Sequence, residues 1–290
     1  MDNIYKIIRT IAKLNQEQFA NELGTTTLSI NRWENGKTEP NRMAQKQLLR
    51  FCLEHEINLG ELIVRTREYG NQERNKQENG ELKNQLILYH GSKKGISGNI
   101  APVSRAECDF GRGFYMGTNA LQPLTLICSE TAPRLYTVAL DTANLKILNS
   151  DIDLDWAMLI AFNRKEMERA SGTAIYEKYA HLTDGYDVVT GYIANDRMYT
   201  ELARFFRGDI TDAALLNCLS ALDLGRQYVA ITEKACSQIQ IIEEETLTQL
   251  ELAALENMSS RRRKEGIRLA DEIVKQHRRE GRYFDEIVGG

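Results

Sequence analysis

The chain has 290 residues, of which 42% are hydrophobic and 27% charged, with a net charge of −4. These values describe an ordinary globular chain of one large or two moderate domains, and they exclude a disordered, collagenous or disulfide-stapled protein. No apolar run approaches the roughly 18–20 residues of a membrane span.

The N-terminus lacks the charged-then-apolar pattern of a secretory signal. The five cysteines form no Cys-x-x-Cys pair, so reduced thiols in a cytoplasmic protein are expected. The four histidines lie far apart, and no metal site is expected. Charge is uneven: residues 1–80 hold 12 Lys/Arg against 11 Asp/Glu, and the remaining 210 hold 25 against 30. Any nucleic-acid contact must therefore come from a local face rather than from a global field.

Residues 1–64 have apolar positions at helical spacing: Ile4, Ile7, Ile8 and Ile11, then Phe19 and Leu23, then Leu48, Leu49 and Leu53. Within them, Asn15–Gly24 and Thr25–Lys37 form a helix, a turn and a second helix. Ala20 is small enough for two helices to cross closely, Gly24 supplies the permissive turn, and Thr26 can cap the second helix. Ile30 and Trp33 are expected in the core. Thr27, Ser29, Asn31 and Arg32 are left to face a groove. With its Arg-Trp-Glu-Asn-Gly segment, this run resembles the phage-repressor, Xre-type helix-turn-helix family over about residues 4–57. The resemblance implies DNA binding, with Gln16 on phosphate and Thr26, Thr27, Asn31 and Arg32 at the DNA face, in a homodimer that reads two half-sites. A helical bundle that only packs or dimerises is the alternative.

Residues 65–85 are almost free of apolar side chains and carry Gly70 and Gly80, which reads as a linker or a solvated helix end. From residue 86 to 245 the pattern is α+β. Short β-rich runs lie at 86–89, 134–141, 145–148, 186–193, 226–232 and 238–242, with helical stretches at about 154–169, 197–207 and 212–222. Residues 246–290 read helical again, as a basic extension. There Arg261–Lys264 precede one apolar stripe of Ile267, Ala270, Ile273 and Val274. This helix could touch nucleic acid, dock on the preceding domain or bind a partner. The terminal run Tyr283–Val288 is apolar enough to need a contact surface.

Two motifs in the α+β part carry chemistry. Leu86-Ile87-Leu88-Tyr89 ends in His90-Gly91-Ser92, which puts an imidazole at the end of a buried strand; it can bond a sugar hydroxyl or serve the fold. Gly91 lacks a Cβ, so a flat ligand could approach its backbone, and Ser92 adds a hydroxyl. Some twenty residues on, Gly111-Arg112-Gly113 deliver Phe114-Tyr115, an aromatic plane suited to stacking. Arg105 and Arg112 on the intervening loop could meet a pyrophosphate or stay solvated.

In this order the two motifs resemble the nicotinamide pocket of ADP-ribosyltransferases of the His-Tyr-Glu type. Together with Trp156…Asn163-Arg164, Tyr186–Tyr199 and Gln227-Tyr228-Val229, they resemble one bacterial subfamily of that clan linked to toxin–antitoxin operons, over about residues 86–240. The resemblance implies a split β-sheet around an NAD+ cleft. It assigns His90 to the adenosine ribose, Tyr115 to nicotinamide, and Gln227 to the position of the acid. Gly91, Ser92, Arg112 and Gly113 would line the cofactor. A glutamine can hydrogen-bond the ribose 2′-hydroxyl and stabilise an oxocarbenium-like transition state, but it cannot take a proton. Asp196 and Glu233 are nearby carboxylates by segment, although Glu233 lies too far along an extended strand to replace Gln227.

The expected protein is an ADP-ribosyltransferase that passes ADP-ribose from NAD+ to a macromolecule. It carries a DNA-binding module and acts in a toxin–antitoxin or phage-defence setting, where an antitoxin partner is implied. The alternatives are a transcription regulator with an inactive NAD-sensing domain and an interaction scaffold.

Overall fold

The computed structural model describes residues 3–78, 84–193, 196–221 and 225–288, and the side chains of these except 69–78 and 196–198. Five helices come first: α1 (Ile4–Ile11), α2 (Gln16–Glu22), α3 (Thr27–Glu34), α4 (Arg42–Glu54) and α5 (Leu59–Glu78). The first four start at side-chain caps. Asn3, Asn15, Thr26 and Asn41 each accept a backbone N–H of the first turn, and Asn15 with Gln18 closes a capping box. Gly24, at φ +61°, ends α2, and the Thr25 N–H closes on the Ala20 carbonyl at 2.9 Å. Phe19, Ile30, Leu48 and Phe51 are buried beneath α2–α4, so this part of the chain is a helix-turn-helix, and its core runs on into the rest of the protein.

The stretch 65–85, read as a linker or a solvated helix end, continues helix α5 as far as Glu78; residues 79–83 lie outside the described part. It is not solvated throughout, because Arg67 is buried through ion pairs rather than apolar contact. Its guanidinium meets Glu245 at 3.1 Å and Glu251 at 2.7 Å. Glu68 accepts the Ala120 N–H at 3.1 Å, and the Tyr89 hydroxyl donates to the Arg67 carbonyl.

Seven strands follow: β1 (Gln85–Ser92), β2 (Phe114–Gly117), β3 (Arg134–Asp141), β4 (Ile147–Asn149), β5 (Val188–Tyr192), β6 (Arg226–Ala230) and β7 (Ile239–Thr246). They form one mixed sheet in the order β4-β5-β6-β2-β1-β3-β7, antiparallel except for the β4–β5 pair. Between and after them lie α6 (Leu121–Ile127), α7 (Leu154–Asn163), α8 (Ala174–Ala180), α9 (Asp196–Phe206), α10 (Asp212–Ser220), α11 (Glu233–Cys236), α12 (Gln249–His277) and α13 (Phe284–Val288). The strands β1 and β3–β7 and the helices α7, α9, α10 and α12 fall on the runs expected from sequence. β2, α6, α8 and α11 do not. β2 is four residues and had read as the end of a glycine turn, and α6 carries Pro123 within its first turn.

Strand alternation divides the core. Leu88, Phe114, Met116, Tyr136 and Val138 face one side of the sheet. The other side has two helical layers. Over β5 and β6, Val189 and Val229 pack with Trp156, Phe205 and Leu215. Over β1 and β3, Tyr89 and Leu135 pack with Leu124, Ile127 and the helix-turn-helix core. Helix α12 belongs to this second cluster through Leu250, Leu255 and Met258, then crosses to α10, where the Cys218 thiol donates to the Ala270 carbonyl. The C-terminal helix is therefore a strut between the layers. Its expected apolar stripe is only partly used, since Ile267 is exposed while Ala270 is buried. The end of the chain finds its surface through Phe284, which packs against Phe205 and Phe206. Among the described residues, no helix is long and apolar enough to cross a membrane.

Candidate functional site

The helix-turn-helix presents a polar face. Thr26, Thr27, Leu28, Asn31 and Arg32 are exposed on α3, while Ile30 and Trp33 point inward. Thr26 is also the cap of α3, its Oγ1 accepting the Ser29 N–H at 3.1 Å. Gln16, expected on phosphate, bonds a carboxylate of the protein itself. Its Nε2 donates to Glu34 Oε2 at 2.7 Å, beside Arg9, whose Nε meets Glu34 Oε1 at 2.5 Å. The Glu34 carboxylate is nearly buried and draws donors to itself; Gln16 keeps a second Nε2 hydrogen that this bond does not use.

The sheet parts in its middle. β1 pairs with β3 over eight positions and β2 with β6 over four, but β1 and β2 share the single pair Tyr89↔Gly117. Past that pair, His90 occupies the gap. Its Nδ1 donates to the Tyr115 carbonyl at 2.7 Å, in place of a ladder bond, and its ring stacks on Phe114 with centroids 4.1 Å apart. Donation from Nδ1 fixes the tautomer and leaves Nε2 as an acceptor. Burial pulls the imidazole pKa below its ordinary 6.5, against the opposing effect of the Tyr115 carbonyl, so the ring is neutral near pH 7.

Tyr115 and Gln227 share the opposite face of the sheet, under α7. The Tyr115 hydroxyl donates to the Gly111 carbonyl at 2.8 Å and accepts the Phe110 N–H at 3.0 Å, which ties the ring to the glycine turn. Burial, with Asp109 nearby, pushes its pKa well up, so it stays a phenol. Phe114, rather than Tyr115, supplies the aromatic face next to His90. Gln227 is 4% exposed and lies between two glycines, Gly117 on β2 and Gly191 on β5. A Cβ at Gly191 would meet Phe110 at 2.8 Å and Trp156 at 3.1 Å, so the glycine lets both rings close over the strand.

The residues expected around a cofactor divide. Gly91 does lie past the last β1–β2 pair, but the space a Cβ would take is filled by α6, with the Pro123 carbonyl at 2.8 Å. The Ser92 hydroxyl donates to the Gly95 carbonyl at 3.0 Å and so serves a turn. At Gly113 a Cβ would fall 2.3 Å from Val229 Cγ1 and 3.0 Å from the Ala230 carbonyl, and its N–H is held by Ser104 Oγ at 3.0 Å. In each case the neighbouring segment approaches because no side chain opposes it. Arg105 and Arg112 are exposed. Glu233 opens α11 at the surface, away from Gln227, and Asp196 opens α9 with a side chain outside the described set. Gly113→Ala is therefore expected to cost about 1–3 kcal/mol through overpacking alone. A thermal melt without ligand checks this; an unchanged midpoint would leave Gly113 free for a binding role.

One group was missed from sequence. Asp109, 6% exposed, lies under α7 and α9 at the foot of the glycine turn. Arg164 reaches its Oδ1 through Nε at 3.2 Å and Nη2 at 2.9 Å, and the Tyr199 hydroxyl donates to the same oxygen. Gln227 Nε2 donates to Oδ2 at 3.0 Å and to the Tyr192 carbonyl at 3.2 Å. The Arg164 guanidinium covers the Tyr199 ring, 3.2 Å from its centroid. A lone aspartate before a glycine turn gives no sequence signal; the hint was a glutamine at a position where an acid is expected.

A protein-family model described as "Protein of unknown function (DUF3990)" matches residues 86–241, and a helix-turn-helix model matches residues 6–50. No curated protein and no solved structure matches the chain.

Proposed function

The chain belongs to the DUF3990 family, whose description assigns no activity, and on that premise we propose that the cleft binds NAD+ and that the protein is an ADP-ribosyltransferase guided by its helix-turn-helix. The observation that carries this reading is the parting of β1 and β2 around His90. A neutral ring there, locked by its own Nδ1–H bond, offers Nε2 as an acceptor for a ribose hydroxyl. By the resemblance Tyr115 would flank the nicotinamide and Gln227 would meet the 2′-hydroxyl of its ribose; since both lie on the face opposite His90, the ligand would have to pass through the gap between β1 and β2. The glycosidic C–N bond breaks with its electron pair leaving on neutral nicotinamide. The oxocarbenium carbon left behind is taken by a nucleophile of the acceptor, whose proton passes to solvent. DNA binding rests on the match to the helix-turn-helix family and on the exposed polar face of α3. The toxin–antitoxin or phage-defence setting, an antitoxin partner, the homodimer and a macromolecular acceptor are supported by the sequence resemblance alone.

A second reading, a DNA-binding regulator with an NAD-sensing domain, is favoured by one observation: no carboxylate stands at position 227, and the nearby Asp109 already has three side-chain partners. One experiment separates the two. Purified protein is incubated with adenylate-labelled NAD+ and host extract, and the products are split with protease, DNase and RNase. Nicotinamide release with label on a macromolecule is the expected result. NAD+ binding without release would select the sensor, and a lack of both would end the NAD+ reading.

A further inference from the structure

The amide of Gln227 is not free to turn. Two acceptors, Asp109 Oδ2 at 3.0 Å and the Tyr192 carbonyl at 3.2 Å, converge on Nε2. Only an –NH2 group satisfies both, so the amide orientation follows from its surroundings. Its Oε1 accepts no hydrogen bond among the described residues and points away from that pair. Asp109 is in turn immobilised by Arg164 and Tyr199 on its other oxygen. We propose that Asp109 is a positioning residue of the cleft: its carboxylate, held by Arg164 and Tyr199, fixes Gln227 with Nε2 inward and Oε1 presented to a hydroxyl of the bound ligand. This deepens the NAD+ reading and rests on it for the identity of that hydroxyl.

Charge reinforces geometry. A carboxylate accepting from Nε2 polarises the amide, so Oε1 carries more negative charge than in a free glutamine. The pair thereby supplies acceptor strength at position 227 without a titratable group there. The same surroundings exclude the acid expected by resemblance. A glutamate at 227 would set its oxygens against a carboxylate and a carbonyl, with no donor between them, and would hold a proton well above the usual carboxylate range. Gln227→Glu is thus expected to impair the site rather than improve it.

The test pairs turnover with a spectroscopic signature that needs no ligand. Asp109→Asn is nearly isosteric and keeps a polar partner for Tyr199, but it can no longer hold Nε2 in one orientation. In wild-type protein labelled with 15N, the two Gln227 Nε2 protons should give well-separated resonances protected from exchange. In Asp109→Asn they should collapse toward free-amide values. Nicotinamide release should fall about 10–100-fold in kcat with KM for NAD+ within about threefold, as for the loss of an oriented transition-state group. Gln227→Glu should be slower than wild type at pH 7 and recover in part as the pH is lowered. Protected amide protons in Asp109→Asn with kcat within twofold of wild type would overturn the proposal, and so would a Gln227→Glu variant faster than wild type. If the wild type neither binds nor cleaves NAD+, the NAD+ reading fails; the amide resonances still decide whether Asp109 positions Gln227.

Discussion

If the protein cleaves NAD+ as proposed, His90→Ala should lower kcat/KM for nicotinamide release by about 10²-fold or more, the usual scale for removing a positioned hydrogen-bonding group from a binding site. The change removes two things at once. It deletes the Nε2 acceptor, and it deletes the Nδ1–H that holds the Tyr115 carbonyl and spans the open edge of β1. The strand itself should survive, because β1 remains paired with β3 over eight positions; a thermal melt serves as the control. The pH profile is the sharper readout. Burial depresses the His90 pKa below its ordinary 6.5, so wild-type kcat/KM should stay level to below that value. It should then drop as Nε2 gains a proton and turns from acceptor to donor. Stability follows the same sign. An unfolded chain binds this proton before the folded one does, so the contribution of His90 is complete above about pH 6.5 and declines as pH falls. An acid limb that persists unchanged in His90→Ala would show that another group controls the cleft.

The largest structural loss is expected at Arg67, which lies in the stretch that looked like a linker. Its side chain is 13% exposed and bridges Glu245 on β7 and Glu251 on α12, tying the helix-turn-helix cluster to the sheet and to the C-terminal strut. Arg67→Ala leaves two largely buried carboxylates facing each other, for which about 3–5 kcal/mol is the expected cost. Burial already raises the Glu245 pKa despite Arg67, with Glu243 and Glu251 adding to the rise. Without the guanidinium that pKa climbs further. A raised carboxylate pKa favours the fold where the group is protonated, so the deficit should be smallest at low pH and widen as pH rises past the usual carboxylate range. Denaturant melts at about pH 5 and pH 7.5 measure both the size and the trend. A loss under about 1 kcal/mol at both would reduce the pair to a solvent-screened contact. A further consequence concerns coupling. Glu68, one residue on, caps the backbone of α6 at Ala120, and α6 packs on Gly91 beside His90. Helix α5 therefore joins the DNA-reading module to the strand that carries the cleft.

Much of this protein was legible in its sequence, for local reasons. The helix-turn-helix depends on caps and a glycine that act over three or four residues: Asn15 with Gln18, Gly24 at positive φ, and Thr26 on Ser29. The six strands read from alternation and β-branched content are also local signals. Position 90 was identified by the His-Gly pair ending an apolar run, and the opening of the sheet lies there.

What escaped the sequence depends on neighbours far along the chain. β2 is too short to show a period, and it becomes a strand because β6 pairs with it. Gly91 and Gly113 read as lining a ligand; the space a side chain would take at each is filled by α6 and by β6. Arg67 is buried by carboxylates 178 and 184 residues away. Asp109 meets Gln227 across 118 residues. Sequence alone determined which segments turn, cap and alternate, because those choices are made by a residue and its nearest neighbours. Tertiary structure decided which polar groups are withdrawn from water and which partners they find there, because desolvation and hydrogen bonding act between segments that only the fold brings within 3 Å.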